Sequence, residues 1–332
     1  MRTHSLTPSP RAAGEAELEV SRLCLGAMDF GTKTGRDESY RILDRYAEAG
    51  GNLLDTANCY AFWAEGGTGD ESETLIGAWL ADRGQAGRMK VASKVGAHLA
   101  RPDEPYSGRN REGLSAARIR EQADRSRERL GVETIDLYYP HCDDRSTDQA
   151  ETVEAFAALV ADGTVGTLAA SNHATWRLDR ARSIAAARGL PTYRAVQLRH
   201  TYLYPRPNPV PVPEAIQLPA TDEMFDYIES ENLALFAYSP LSGGAFDRDD
   251  RGAPPAPVDY DHPGSTERIA VLRKVAVELG VKPGQLVLAW MMSHRTTVIP
   301  ILGVSSVDQL DMALAALEIE LDEETLARLN AA

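Results

Sequence analysis

The sequence is poor in cysteine and comparatively poor in basic residues. Its three cysteines are an odd number without CxxC spacing, which argues against a disulfide framework and against a cysteine-based metal site. Only 35 Lys and Arg residues stand against 49 Asp and Glu residues, a formal net charge of -14. Such a charge repels phosphate backbones and anionic lipids, so we expect no nucleic-acid partner.

Targeting and membrane segments are also missing from the pattern. The first twenty residues are polar and contain proline, and they lack the apolar centre of a signal peptide. No later stretch approaches the roughly 20 apolar residues that a membrane span needs. The sequence therefore predicts a cytoplasmic protein with no membrane partner and with reduced thiols.

What the sequence does have is a regular alternation of short apolar runs and longer segments with helical spacing. Eight apolar runs begin at Arg22, Gly51, Met89, Thr134, Val165, Ala195, Leu233 and Thr297. Helices are predicted near 37–49, 70–83, 115–130, 149–162, 174–188, 221–231, 266–280 and 283–294. Apolar strands that alternate with helices are typical of a parallel sheet covered by helices.

Eight such units are enough to close an α/β fold of the (β/α)8 TIM barrel type. We expect one domain over residues 1–332, with roughly the first 20 residues as a polar extension or short hairpin. No GxGxxG or GxxxxGK[ST] follows a strand, which disfavours an open doubly wound sheet. Long loops are predicted after strands 6 and 7. Asp70 and Glu73 predict a capping box for the second helix.

Chemically useful side chains stand where the apolar runs end. Each alone has an ordinary structural explanation, such as a solvated lysine or a packing tyrosine. In a barrel, however, the carboxyl ends of all strands meet at one rim, where the active site lies. The residues concerned are Asp55, Tyr60, Lys94, His141, Ser171, Asn172, Gln197, Tyr238 and Ser239.

Over residues 20–330 the sequence resembles the aldo-keto reductase family. The resemblance rests on "LDTANCY", "ASKVG", "IDLYYPH", "GTVGTLAASN", "AYSPLSGG" and "PILGVSSVDQL", which occur in the family's order. It implies a barrel that transfers hydride from NADPH to a carbonyl. It also implies that the catalytic residues are Asp55, Tyr60, Lys94 and His141.

Physical chemistry supports the same catalytic roles. Carbonyl reduction needs a proton donor, and a free phenol, with a pKa of about 10, releases its proton reluctantly. We expect the ammonium of Lys94 to lower the pKa of Tyr60. Asp55 would hold Lys94 charged and oriented. His141 would hydrogen-bond the substrate carbonyl.

The resemblance also implies a dinucleotide site. Tyr238 would stack on the nicotinamide, and Ser171, Asn172 and Gln197 would bind its carboxamide. The full set of cofactor residues implied is Gly26, Met28, Asp55, Ser171, Asn172, Gln197, Tyr238, Ser239, Leu241, Gly243, Gly303, Ser305 and Gln309.

Selectivity for NADPH is expected to be weak. Ser305 stands where the family commonly has a basic residue for the 2'-phosphate, and Met312 and Ala313 replace a common Glu-Asn pair. The helix that begins near Ser306 offers its amino end to a phosphate. Arg248 or Arg251 could supply the missing charge. We therefore expect NADPH binding, with NADH also accepted.

The substrate is expected to be a small aldehyde, ketone or sugar carbonyl. We expect no long C-terminal loop of the kind that shapes steroid pockets in some family members. Phe62 and Trp63 would form an apolar wall or a lid. No metal is expected, and the oligomeric state stays open.

Two other functions and one question about the cysteines remain open from the sequence. One is a non-catalytic NADP(H)-sensing regulatory subunit. Another is a barrel lyase or aldolase in which Lys94 forms a Schiff base. Cys59 and Cys142, each next to a catalytic candidate, are expected to be small buried groups, although their oxidation could inhibit the enzyme.

Overall fold

The computed structural model describes residues 1–6, 18–104, 107, 110–206, 217–248 and 260–332. Eight parallel strands form a closed barrel, which confirms the predicted (β/α)8 TIM barrel. The barrel strands are β3 (Cys24–Gly26), β4 (Leu53–Asp55), β5 (Lys90–Val95), β6 (Ile135–Pro140), β7 (Val165–Ser171), β8 (Tyr193–Arg199), β9 (Ala234–Tyr238) and β10 (Val298–Gly303). Closure comes from pairing of β10 with both β9 and β3.

Helices cover the outside of the barrel. They are α1 (Arg36–Glu48), α2 (Glu71–Asp82), α3 (Ala116–Leu130), α4 (Gln149–Ala161), α5 (Thr175–Ala187), α6 (Asp222–Ser230), α7 (Pro263–Leu279), α8 (Pro283–Met292), α9 (Val307–Leu314) and α10 (Glu323–Asn330). The largest boundary error of the sequence prediction is at α7, which begins at Pro263 because proline is well suited to the first helical turn.

The two predicted long loops follow β8 and β9. Residues 207–216 of the first and 249–259 of the second, including Arg251, lie outside the described residues. At the other end of the barrel, β1 (Thr3–Ser5) and β2 (Glu19–Ser21) pair antiparallel. Leu18 and Val20 of this pair pack with barrel-interior side chains such as Leu53 and Ile299. Side chains of this pair therefore add to the packed interior at this end of the barrel.

The capping box predicted for α2 is wrong. Asp70 is the N-cap residue, but its side chain makes no capping hydrogen bond. Glu73 is completely buried, where it pairs with Arg129 and accepts a hydrogen bond from Ser93. Glu71 accepts the two backbone N–H groups of the preceding turn instead. The sequence has the D-x-x-E spacing of a capping box, but its glutamate, Glu73, forms an ion pair in the core.

Candidate active site

Asp55 and Lys94 meet at the carboxyl end of the barrel because β4 and β5 are neighbours in register. Lys94 Nζ lies 2.7 Å from Asp55 Oδ2, 2.7 Å from the carbonyl oxygen of Thr56 and 2.8 Å from Tyr60 Oη. An ammonium has three N–H donors, and here each has an acceptor. The Lys94 side chain is completely buried. Its charge is therefore held in one place.

Tyr60 reaches this centre from a tight turn after β4. Its Oη lies 3.3 Å from Asp55 Oδ2, and its backbone N–H donates to Ala57 O. The next residue, Ala61, has a φ of 72°, a conformation that costs energy for a residue with a Cβ. Backbone strain of this kind concentrates at functional sites, where the surrounding structure enforces it. Here it directs the phenol back over the strand.

The pKa of Tyr60 corrects one expectation from the sequence. Burial raises this pKa well above its ordinary value, and the carboxylate of Asp55 adds to the rise. The expected lowering by Lys94 is therefore outweighed in this site, although the ammonium is in hydrogen-bond contact. The phenol stays protonated at neutral pH, as a proton donor must.

His141 follows β6 and stands across from Tyr60, with their ring centroids 5.9 Å apart. Its backbone N–H donates to Val95 O at 2.8 Å. Burial lowers the pKa of the imidazole well below its ordinary value, and the charges of Lys94 and Arg111 lower it further. The ring is therefore neutral and carries one N–H donor.

The two cysteines expected to be small buried groups are indeed buried. Cys59, however, faces the site: its Sγ lies 3.6 Å from His141 Nδ1. When this thiol donates to Nδ1, the imidazole proton lies on Nε2, free to donate to a ligand. Cys142 instead accepts a hydrogen bond from Arg111 at 2.8 Å. Burial raises the pKa of the Cys142 thiol to about 11.

Gln197 connects the catalytic residues to the predicted carboxamide residues. Its Nε2 donates to Asp55 Oδ1 at 2.8 Å, so the two oxygens of Asp55 have different partners, Gln197 and Lys94. The register of β7 with β8 places Ser171 beside Gln197. The side chains of Asp55, Lys94, Ser171 and Gln197 are all buried.

Asn172 extends this network towards Tyr238. Its Nδ2 donates to His141 O at 3.1 Å and to Ser171 Oγ at 3.0 Å. Its Oδ1 accepts from Tyr238 Oη at 2.9 Å. Asn172 has a φ of 54°, a second strained position at the rim. The structure thus brings the residues predicted for the nicotinamide side together in one network.

The loop after β9 carries three of the predicted cofactor residues, Ser239, Leu241 and Gly243. Ser239 and Ser242 have positive φ values of 54° and 47°. Gly243 is exposed, with nothing within 4 Å of a Cβ placed on it, so its surface is open. Leu241 is half-buried. Arg248 Nη2 donates to Gly243 O at 3.0 Å, which places one of the two predicted arginines at this loop.

At the next strand, Gly303 ends β10 and is exposed. Gln309 Oε1 accepts from Ser305 N at 2.8 Å, and the Gln309 N–H donates to Ser306 Oγ at 3.3 Å. The side chain of Gln309 is therefore engaged in the turn that starts α9. Gly26 lies opposite Gly303, on the neighbouring strand β3. A Cβ on Gly26 would lie only 2.9 Å from Ile301 Cγ2, so a larger residue would clash there.

Three apolar side chains stand at the open side of the rim. Trp63 is 48% exposed and Met28 is 45% exposed. The Trp63 ring lies 6.4 Å from the Tyr60 ring and 5.1 Å from the Phe62 ring, both edge to face. An exposed tryptophan beside the predicted proton donor offers an aromatic surface to a substrate.

Glu112 is a site residue that the sequence analysis missed. Its Oε1 accepts from Gly96 N at 2.7 Å, from His98 N at 3.3 Å and from Asn58 Nδ2 at 2.9 Å. This one carboxylate oxygen ties the loop after Lys94 to the turn that carries Tyr60. Glu112 stands in a loop far from either motif in sequence, so no local pattern marked it.

Within the described ranges, no group of three or more His, Cys, Asp or Glu residues could hold a metal ion. Over the same ranges, no helix is both long enough and apolar enough to cross a membrane.

Comparisons with known proteins agree with the fold. The chain is 34% identical over 327 residues to the uncharacterized oxidoreductase YrpG of Bacillus subtilis, covering 96% of this chain and 93% of that protein. It is 28% identical to the norsolorinic acid reductase stcV of Emericella nidulans, covering 94% and 78%. It is 26% identical to the aryl-alcohol dehydrogenase GME11368 of Pestalotiopsis microspora, covering 96% and 79%.

The sequence model of the aldo/keto reductase family matches residues 22–332. The match spans every strand of the barrel and all four catalytic candidates. The chain is an NAD(P)H-dependent oxidoreductase that belongs to the aldo-keto reductase family.

Proposed function

We propose that the enzyme reduces an aldehyde, ketone or sugar carbonyl to the alcohol, with Tyr60 as general acid. The proposed hydride donor is NADPH, with NADH accepted as well. The observation that carries the proposal is the buried ammonium of Lys94, bonded at once to Asp55 and Tyr60. Such a centre brings a protonated phenol and a fixed positive charge to one point of the rim.

The residues on the nicotinamide side fit a planar ring that carries an amide. Ser171, Asn172 and Gln197 are buried and offer donors and acceptors, and Tyr238 stands beside them. Ser171 and Asn172 hydrogen-bond each other, so they are oriented before any ligand arrives. When bound, the nicotinamide cofactor supplies the hydride.

The remaining chemistry belongs to the side chains of this protein. As negative charge develops on the substrate oxygen, Tyr60 donates its hydroxyl proton to that oxygen. The ammonium of Lys94 stabilises the phenolate that remains. Asp55 fixes Lys94, and neutral His141 donates a hydrogen bond that orients the carbonyl.

An aromatic carbonyl is the preferred first substrate to test. Trp63 is exposed beside Tyr60, and one similar protein is named an aryl-alcohol dehydrogenase. Aromatic rings prefer edge-to-face or offset contacts with such a side chain. We therefore choose 4-nitrobenzaldehyde as the lead compound, with an aliphatic ketone and an aldose for comparison.

Steady-state oxidation of NADPH and of NADH with this carbonyl panel tests the proposal. We expect continuous turnover with at least one carbonyl. Dinucleotide binding without turnover of any carbonyl would contradict the proposal and favour the sensing subunit.

A Schiff base on Lys94 is disfavoured because that ammonium is buried and has three acceptors. A nucleophilic amine needs a free lone pair. Treatment with borohydride in the presence of a carbonyl should leave Lys94 unmodified. A reduced adduct on Lys94, detected by peptide mass spectrometry, would favour the lyase or aldolase reading.

A further inference from the structure

The ring of His141 has one hydrogen-bond partner in the part of the chain that the structure describes. This partner is the thiol of Cys59, whose Sγ lies 3.6 Å from His141 Nδ1. The backbone of His141 is held separately, because its N–H donates to Val95 O and its carbonyl oxygen accepts from Asn172 Nδ2. These backbone bonds fix neither the rotation of the ring nor the nitrogen that carries its proton. The contact with Cys59 bears on both.

Cys59 keeps its proton in this position. The residue is 2% exposed and belongs to a small apolar cluster with Ala57, Ala97 and Cys142. Burial raises the pKa of the Cys59 thiol well above its ordinary value, and the carboxylate of Glu112 adds to the rise. The side chain is therefore a neutral thiol, which has one weak S–H donor.

The imidazole nitrogen is the better acceptor of the two atoms in this contact. An unprotonated ring nitrogen accepts hydrogen bonds well, whereas a thiol sulfur accepts only weakly. The Cys59 thiol therefore donates to Nδ1, and the single proton of the neutral ring lies on Nε2. In a histidine, the hydrogen bond at one ring nitrogen sets the protonation of the other. An N–H at Nε2 can donate to a carbonyl oxygen, while an unprotonated Nε2 would present a lone pair to it.

We propose that Cys59 is a positioning residue for carbonyl reduction, whose thiol holds His141 in the tautomer and the rotamer that donate to the substrate oxygen. The inference rests on the proposed function and adds a residue that acts through His141. Cys59 directly precedes Tyr60 in the turn after β4. This turn thus supplies the proton donor, Tyr60, and the group that orients the second hydrogen-bond donor.

The first arm of the test measures the tautomer. Nitrogen-15 labelling of histidine in the full chain, read by long-range proton–nitrogen NMR, distinguishes a protonated ring nitrogen from an unprotonated one. The signals of His141 are those that disappear in His141→Asn. We expect wild type to show the proton on Nε2. Cys59→Ala removes the donor to Nδ1, so part of the population should move its proton to Nδ1.

The second arm measures catalysis with 4-nitrobenzaldehyde. We expect Cys59→Ala to lower kcat/KM by about two- to tenfold, the range of one neutral hydrogen bond. The dissociation constant of the dinucleotide should stay unchanged, because the thiol contacts His141 and not the residues of the nicotinamide side. Cys59→Ser keeps a donor at this position. It should restore the tautomer and return kcat/KM to within about twofold of wild type.

Cys142→Ala is the matched control. Cys142 follows His141 directly, is 4% exposed and belongs to the same cluster, so its truncation removes the same atoms from similar surroundings. Its Sγ contacts Arg111 and the carbonyl oxygen of Gly96 instead of the imidazole. We expect the tautomer of His141 to stay unchanged and kcat/KM to stay within about twofold of wild type, because the bond at Nδ1 is kept. Thermal melting without dinucleotide compares the stability of all variants.

The outcomes separate the inference from the proposed function. If wild type turns over no carbonyl, the proposed function fails, and the NMR arm alone then supports or overturns the role of Cys59. A proton on Nδ1 in wild type, or an unchanged tautomer in Cys59→Ala, would overturn the inference. An equal loss of kcat/KM in Cys142→Ala, or no recovery in Cys59→Ser, would also overturn it, since packing of the cluster would then explain the effect.

Discussion

Two corners of the same barrel rim handle charge in opposite ways. In the catalytic corner, formed by Asp55, Tyr60, Lys94 and His141, the ion pair is almost fully buried, with side-chain exposures of 0% for Lys94 and 4% for Asp55. In the α9 corner, formed by the facing residues of α1 and α9, the Arg45–Asp311 pair is 38% and 46% exposed. A buried pair fixes the geometry of its groups, whereas exposed charges are screened by solvent and contribute little to stability.

The largest expected difference between the corners appears when one partner of each ion pair is removed. Lys94→Met leaves the buried Asp55 without its counter-ion, which should lower the free energy of unfolding by about 3–5 kcal/mol. Arg45→Met in the α9 corner should cost less than about 1 kcal/mol. Urea unfolding of both variants measures this.

The double variant Lys94→Met/Asp55→Asn completes that comparison. Because it removes the unpaired charge, it should recover part of the lost stability. If Lys94→Met costs no more than Arg45→Met, the buried ion pair is not the anchor of the catalytic corner.

A smaller loss of stability is expected when Asn58, in the turn that carries Tyr60, is replaced. Asn58 Nδ2 donates to Glu112 Oε1 at 2.9 Å and to Gln122 Oε1 at 3.0 Å. Asn58→Ala removes both hydrogen bonds. Glu112 Oε1 keeps its two backbone donors, but Gln122 Oε1 loses the Asn58 donor, which should cost about 1–3 kcal/mol. We also expect kcat to fall while dinucleotide affinity stays unchanged, because the turn positions Tyr60 and not the cofactor. An equal loss of dinucleotide affinity would show a general structural role.

In the α9 corner, loss of the helix cap should have a modest effect. Ser306 Oγ accepts the N–H of Gln309, so Ser306→Ala should lower the free energy of unfolding by about 1 kcal/mol. Ser293→Ala, at the carboxyl end of α8, is a control that removes a hydroxyl bonded to Ala289 O one turn earlier, a contact that adds little to helix stability, without removing an N-cap. Equal effects in thermal melting would contradict the capping role.

The smallest expected effect is the response of catalysis to pH. Because the pKa of Tyr60 is raised, the phenol stays protonated and kcat for reduction should vary less than about twofold between about pH 7 and 9. The lowered pKa of His141 keeps the imidazole neutral over the same range. A tenfold loss per pH unit there would mean that Tyr60 titrates at a lower pH than burial allows.

The difference between the corners also explains what the sequence could predict. Asp55, Lys94 and His141 could be identified because parallel barrel strands bring their carboxyl ends to one rim. The pKa of Tyr60 could not be predicted, since it depends on how deeply the turn buries the phenol. The contact between Glu38 and Val307 could not be predicted either, because the two residues are 269 positions apart in sequence.

A local sequence pattern gave a wrong prediction where the same residue spacing is compatible with two different structures. The Asp70–Glu73 spacing resembled a capping box, yet Glu73 turns inward to Arg129. Helix positions were predicted well because their apolar spacing repeats over many residues. Single side-chain contacts between distant elements leave no such repeat.

The most direct test of the account is the Tyr60→Phe variant, assayed with 4-nitrobenzaldehyde and with the dinucleotide that wild type uses. The substitution removes only the hydroxyl that Lys94 and Asp55 surround. We expect kcat/KM to fall by about 10²- to 10⁴-fold, the usual contribution of general acid catalysis, with the dinucleotide dissociation constant unchanged. Retention of activity within about tenfold of wild type would contradict the assignment of Tyr60 as the proton donor.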